Sequence, residues 1–112
     1  MRIVITGATG NVGTALVRAL VREGGHEVVG VARGRPPAGF PGVRLHTRDV
    51  ATDPLETVFR GADAVVHLAW TTEPARDERA LWRVNVDGSQ RVIEATLAAG
   101  VPALLHASAI GA

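Results

Sequence analysis

The sequence predicts an α/β fold built on a parallel sheet, and three observations predict it. Short apolar runs alternate along the chain with stretches of helical periodicity. Several runs are continuously apolar, as strands covered on both faces are. The first run passes into the first helical stretch through a glycine turn, Gly7-x-x-Gly10-x-x-Gly13.

Residues 2–6 form an apolar run ended by Gly7 and read as a buried strand. Residues 11–23 take helical spacing, with Val12, Ala15, Leu16, Ala19 and Leu20 on one face and Arg18, Arg22 and Glu23 off it. Gly24 and Gly25 stop that helix, and residues 26–31 form a second strand. Residues 33–42 are rich in Pro, Gly and Arg and read as a loop, before a third strand at 43–47. Asp53 and Pro54 suit an N-cap and first helical position, and Leu55, Val58 and Phe59 would be the buried face of a short helix ended by Gly61. A fourth strand follows at 64–69.

Residues 74–99 read as one helix with two apolar stripes. Leu81, Val84, Asn85, Gly88, Val92 and Ala95 make the first; Trp82, Val86, Ser89, Ile93 and Leu97 make the second. One stripe would meet the sheet and the other a second partner. Gly100 ends the helix, and 103–107 is a fifth strand. This alternation of strands and helices argues for a parallel sheet with right-handed crossovers.

Composition narrows the functional classes. The chain has 112 residues, enough for one domain. It is 46% hydrophobic but only 4% aromatic, so the core must come from Val, Leu, Ile and Ala. Without cysteine there is no disulfide, thiolate nucleophile or Cys-ligated zinc. All 12 basic residues are Arg, with no Lys and no Tyr, and the net charge is +1. The pI near 9.0 therefore reflects a few surplus arginines, not a nucleic-acid-binding patch. No apolar run approaches the ~20 residues of a spanning helix, and no secretory signal is visible, so a cytoplasmic protein is expected.

Each glycine of the turn has a physical task. Gly7 allows the tight exit from the strand, Gly10 leaves room for a pyrophosphate against the backbone, and Gly13 lets the helix pack close to the sheet. The helix N-terminus adds unpaired N–H groups and partial positive charge. Strand before and helix after are the context this pattern requires. A P-loop is excluded because there is no lysine.

Thr6-Gly7-Ala8-Thr9-Gly10-Asn11-Val12-Gly13 resembles the fingerprint of the extended short-chain dehydrogenases, the NAD-dependent epimerase/dehydratase family. Asp49-Val50, Val66-His67-Leu68-Ala69, Asn85-Val86-Asp87-Gly88 and Leu104-Leu105-His106-Ala107-Ser108 resemble further motifs of that family, so the likeness runs along the whole chain. The resemblance implies a Rossmann-type doubly wound parallel sheet, order 3-2-1-4-5, truncated after the fifth strand, with residues 1–112 the N-terminal part of a longer domain. It implies NADP or NAD as cofactor, held by Gly7, Thr9, Gly10, Asn11, Val12 and Gly13. Asp49 and Val50 would contact the adenine, and Leu68, Ala69 and Asn85 would border the cofactor. It implies oxidoreductase, epimerase or dehydratase chemistry on a sugar nucleotide or similar small carbonyl/hydroxyl substrate in the full-length protein, and a homodimer through the 74–99 helix. Two departures stand out. The family's Tyr-x-x-x-Lys is not among these residues, and its catalytic serine aligns with Ala109, leaving Ser108 as a neighbouring candidate only.

Each candidate also has a plainer reading. On its own, Asp49 reads as a loop Asp closing a turn. Arg33 follows the second strand where NAD-preferring domains place an acidic residue, and no Asp or Glu lies between Val28 and Arg35. It suits the 2′-phosphate of NADP, which tilts the cofactor toward NADP; otherwise it is a solvated loop residue. Asn85 either reaches the cofactor side or is a buried amide held by backbone. Trp70 either walls a substrate pocket or packs. His26, His46, His67 and His106 lie in or beside four different strands, without metal-ligand spacing, and no partner for His67 or His106 is readable. Two functional classes stay open: the cofactor-binding portion of an enzyme, or a non-catalytic dinucleotide-binding module, redox sensor or inactive gene fragment. The chain alone is expected to be inactive and prone to associate.

Overall fold

The computed structural model describes residues 1–33, 42–68, 79 and 83–107. Ala69, Trp70, Ser108, Ala109, most of the 33–42 loop and the start of the 74–99 helix lie outside the described residues.

The chain runs β1 (Arg2–Thr6), α1 (Asn11–Glu23), β2 (Glu27–Ala32), β3 (Val43–Thr47), α2 (Glu56–Phe59) and β4 (Ala64–His67). A π-helical segment (Arg83–Asp87), α3 (Gly88–Ala98) and β5 (Ala103–His106) follow. All strand pairs are parallel, and the sheet order is β3-β2-β1-β4-β5. The order reverses between β1 and β4, which places a crevice outside the carboxyl ends of those two strands.

Successive strand residues face opposite sides, and both sides are apolar. Ile3, Ile5, Val28 and Val66 pack with Val17 on the α1 side. Val4, Val29, Val31 and Val65 pack with Leu55, Val58, Phe59 and Val92 on the α2/α3 side. This two-sided cover is why the strands read as continuous apolar runs. Phe59 is fully buried, and its truncation to Ala would cost about 3–5 kcal/mol.

The bounds of β1, α1 and β3 coincide with those expected, and β2 is shifted by one residue. Three details differ. In α1 the buried residues are Gly13 and Val17, flanked by Leu16 and Leu20, while Val12, Ala15 and Ala19 face outward. A Cβ on Gly13 would lie 2.1 Å from the Gly7 carbonyl oxygen, so the helix is seated on backbone at Gly13. That seat fixes its rotation and turns Val12 out. The short helix begins at Glu56, not Pro54, because the Asp53 carboxylate accepts the Asp49 N–H at 2.6 Å instead of capping a helix. Along α3, Ser89 turns inward with Gly88, Val92 and Thr96, leaving Ile93 and Leu97 exposed, as is Val86 in the preceding π-helical segment. No helix among the described residues is long and apolar enough to cross a membrane.

Candidate functional site at the sheet switch point

The glycine turn is anchored to the end of β2. Gly7 N–H and Ala8 N–H both donate to the Val31 carbonyl, at 2.8 and 3.3 Å. Gly7 takes a φ of 70°, a left-handed conformation that glycine adopts without strain. Gly10 N–H returns to the Gly7 carbonyl at 3.1 Å, and the helix starts with Thr14 N–H on the Gly10 carbonyl at 2.8 Å. The N–H groups of Asn11, Val12 and Gly13 precede that first helical bond and have no i−4 partner. No side chain caps the helix and no acidic residue lies in its first turn. Thr9 is half-buried, and Gly10, Asn11 and Val12 are exposed.

The glycines differ in what the fold asks of them. Gly13 admits no side chain. Gly10 sits in extended backbone, φ −74° and ψ 177°, and a Cβ there would meet only the Gly7 oxygen at an ordinary 3.4 Å. Among the described residues, the protein's own packing does not require glycine at position 10.

The facing wall of the crevice is held by a polar chain through β1, β4 and α3. Thr6, His67 and His106 occupy one register row across three strands. Thr6 Oγ1 lies 2.6 Å from His67 Nδ1, and His67 Nε2 lies 3.0 Å from Ser89 Oγ. Leu68 N–H donates to Thr6 Oγ1 at 3.0 Å and to the Thr6 carbonyl at 3.1 Å. His67 is 2% exposed; burial, with the neighbouring His106 ring 5.0 Å away, lowers its pKa to about 4. The ring is therefore neutral near pH 7, with one nitrogen donating and the other accepting. His67 thus has partners that the sequence did not reveal. They lie 61 and 22 residues away, and no local pattern couples them.

The remaining candidates line the same edge of the sheet. Arg33 is exposed just past β2. Asp49, just past β3, is half-buried; its Oδ1 accepts Ala51 N–H at 2.9 Å, closing a tight turn. Val50 is buried, and its carbonyl accepts a hydrogen bond from Arg91 Nη1 at 2.8 Å. Leu68 is half-buried beyond β4. Asn85 is half-buried within the π-helical segment, a distortion of the regular helix read from sequence and one that often marks functional positions. Among the described residues no group of His, Asp and Glu is arranged to hold a metal.

A parallel sheet in this order, with a glycine turn and an uncapped helix N-terminus at its switch point, defines a Rossmann-type α/β fold. The chain belongs to the NAD dependent epimerase/dehydratase family, whose model matches residues 3–111. It is 40% identical over 107 residues to an L-arabinose 1-dehydrogenase (NAD(P)(+)) of Haloferax volcanii, covering 96% of this chain and 40% of that protein. The structure of MoeE5 in complex with UDP-glucuronic acid and NAD superposes with a TM-score of 0.85 at 30% identity, over 97% of this chain and 37% of that one. A UDP-galactose 4-epimerase structure gives 0.85 at 31% identity, over 97% and 38%. The chain thus spans about two fifths of the length of these relatives.

Proposed function

We propose that residues 1–112 are the dinucleotide-binding part of an epimerase/dehydratase-type oxidoreductase, and that the glycine turn receives the pyrophosphate of NAD or NADP. The observation that carries this is Gly10, a glycine the fold does not need, beside three N–H groups without helical partners. The pyrophosphate would lie over Gly7, Thr9 and Gly10 against the N–H groups of Asn11, Val12 and Gly13. Asp49 and Val50 would meet the adenine, and Arg33 the 2′-phosphate of NADP. Leu68 and Ala69 would border the nicotinamide half, with Asn85 behind them.

When bound, the nicotinamide supplies a hydride acceptor or donor. What this chain contributes is binding and orientation. His67 is engaged on both ring nitrogens and neutral, so it braces the crevice without serving as a proton donor to a substrate. The sequence contains no Tyr and no Lys, so proton exchange by a Tyr-x-x-x-Lys pair is not assigned to these residues. A sugar nucleotide or similar carbonyl/hydroxyl compound is the proposed substrate class of the whole protein, supported by the UDP-glucuronic acid complex of one structural relative.

The test is calorimetric titration of the chain and of its Gly10→Val variant with NAD and NADP. Binding by the chain and loss in the variant, with the circular dichroism spectrum unchanged, is the expected result. Equal affinity in both proteins would refute the assignment.

A further inference from the structure

We propose that Arg91 is a positioning residue for adenine recognition, acting by gripping the peptide that aims Asp49. This rests on the adenine role proposed above for Asp49 and says what sets that contact. Arg91 Nη1, on α3, donates to the Val50 carbonyl across 41 residues of sequence at 2.8 Å. The carbonyl of Val50 and the N–H of Ala51 are the two ends of one peptide group. That N–H is the donor to Asp49 Oδ1 at 2.9 Å. A peptide is planar and trans, so fixing the direction of its C=O fixes the direction of its N–H. Arg91 holds one end of the plane and the Asp49 carboxylate is held by the other.

The rest of the turn is closed on itself. Asp49 N–H donates to Asp53 Oδ2 at 2.6 Å, and the Asp49 carbonyl accepts Thr52 N–H at 3.1 Å and Asp53 N–H at 2.8 Å. These bonds fix the shape of the turn but tie it to no helix. Val50 itself is 4% exposed and shares an apolar cluster with Val92, the residue after Arg91, so the two grips on the turn are adjacent on α3. A guanidinium on the carbonyl also polarises the peptide and strengthens its N–H as a donor. Asp49 Oδ1 is then committed to Ala51. Oδ2, which makes no hydrogen bond among the described residues, is left as the acceptor for an exocyclic amino group.

Adenosine and inosine diphosphates separate this role from general damage. They share ribose and pyrophosphate, but only the first has the 6-amino group. The chain should bind adenosine diphosphate about ten-fold more tightly than inosine diphosphate, the usual worth of a hydrogen bond to a charged acceptor. In Arg91→Met and Arg91→Gln the ratio should fall to within about two-fold of one, while Arg91→Lys, which can still reach the carbonyl with one charged donor, keeps an intermediate ratio. Loss of the arginine charge acts on both ligands alike and cancels in the ratio, as does a loss of stability. If the unaltered chain does not discriminate between the two nucleotides, the adenine role of Asp49 falls and this proposal with it. If it does discriminate and Arg91→Met or Arg91→Gln retains the full ratio, or weakens both ligands in parallel, Asp49 keeps its role and Arg91 does not position it.

Discussion

Two glycines, three and six residues after Gly7, give a matched pair of substitutions with different expected effects on stability. In Gly10→Ala the added methyl meets the Gly7 oxygen at 3.4 Å, and the extended backbone at φ −74° suits any residue. Restricting the unfolded chain stabilises by about 0.4–1 kcal/mol. Exchanging glycine for alanine at a helix N-cap costs up to about 1 kcal/mol. The two nearly offset, so the melting temperature should move by less than about 4–8 °C. In Gly13→Ala the methyl would stand 2.1 Å from the Gly7 oxygen and 2.9 Å from Ala8 Cα, both backbone atoms that no rotamer change can move. Helix α1 must retreat from the sheet, loosening Leu16, Val17 and Leu20, at a cost of about 1–3 kcal/mol or more.

Binding should not follow stability. Gly10→Ala places a methyl on the path assigned to the pyrophosphate and should lose at least about ten-fold in dinucleotide affinity, roughly 1.4 kcal/mol. Gly13→Ala should lose both binding and stability. Thermal unfolding followed by circular dichroism, paired with calorimetric titration of NAD and NADP, separates the two. A Gly10→Ala protein that binds like the unaltered chain would show that the open space above Gly10 has nothing to do with a ligand, and one that melts as early as Gly13→Ala would show that the fold itself needs glycine at position 10.

Arg33→Ala should weaken NADP and spare NAD, changing their ratio about ten- to hundred-fold for an Arg–phosphate contact of ~1.5–3 kcal/mol, and equal titration curves before and after would remove Arg33 from the site. His67 should make the fold acid-sensitive. Its folded pKa of about 4 lies below the ordinary 6.5, so its contribution is complete above pH 6.5 and is lost as pH falls toward 4, a total of about 3 kcal/mol. Denaturant titrations across that window should show a slope that His67→Asn removes, and an unchanged slope would mean the ring does not titrate as described. The chain alone should oxidise NADPH with none of a panel of carbonyl compounds and sugar nucleotides, since no Tyr or Lys is present to exchange the proton. It should also associate through the exposed Leu97 and Leu105, 75% and 64% accessible, so that light scattering falls on Leu97→Glu with Leu105→Glu while the melting temperature holds.

What could be read from sequence was what local backbone physics encodes. Strand runs, the glycine turn and the ends of α1 all depend on neighbours a few residues away, while the strand order is implied by the family resemblance and not by alternation alone. What could not be read was decided by competing local hydrogen bonds and by contacts distant in sequence. The Asp53-Pro54 pair has the composition of a helix start, but the Asp49 N–H, close in space through the turn, competes for the carboxylate and wins. The π-helical segment at Arg83–Asp87 breaks a period that the side-chain pattern suggests is continuous. The partners of His67 come from β1 and α3, and the grip of Arg91 on Val50 spans 41 residues.

The buried face of α1 differs from the periodic one because the glycine turn itself seats the helix. Counting hydrophobic residues places Val12, Ala15 and Ala19 inward, since periodicity weighs side chains and gives glycine no weight. The structure weighs closeness instead. Gly13 seats on the carbonyl of Gly7, the helix turns to present Leu16, Val17 and Leu20 to the sheet, and Asn11 and Val12 swing outward next to Gly10. Val12 gives up its burial while Leu16, Val17 and Leu20 keep theirs, and the uncapped first turn of the helix is left exposed after β1. A local rule broken at one point, with its compensation visible a few residues away, is what a binding site built into a fold is expected to look like. Val12, which periodicity turns inward, stands instead in the exposed first turn of α1 beside Gly10, where the proposed pyrophosphate site lies.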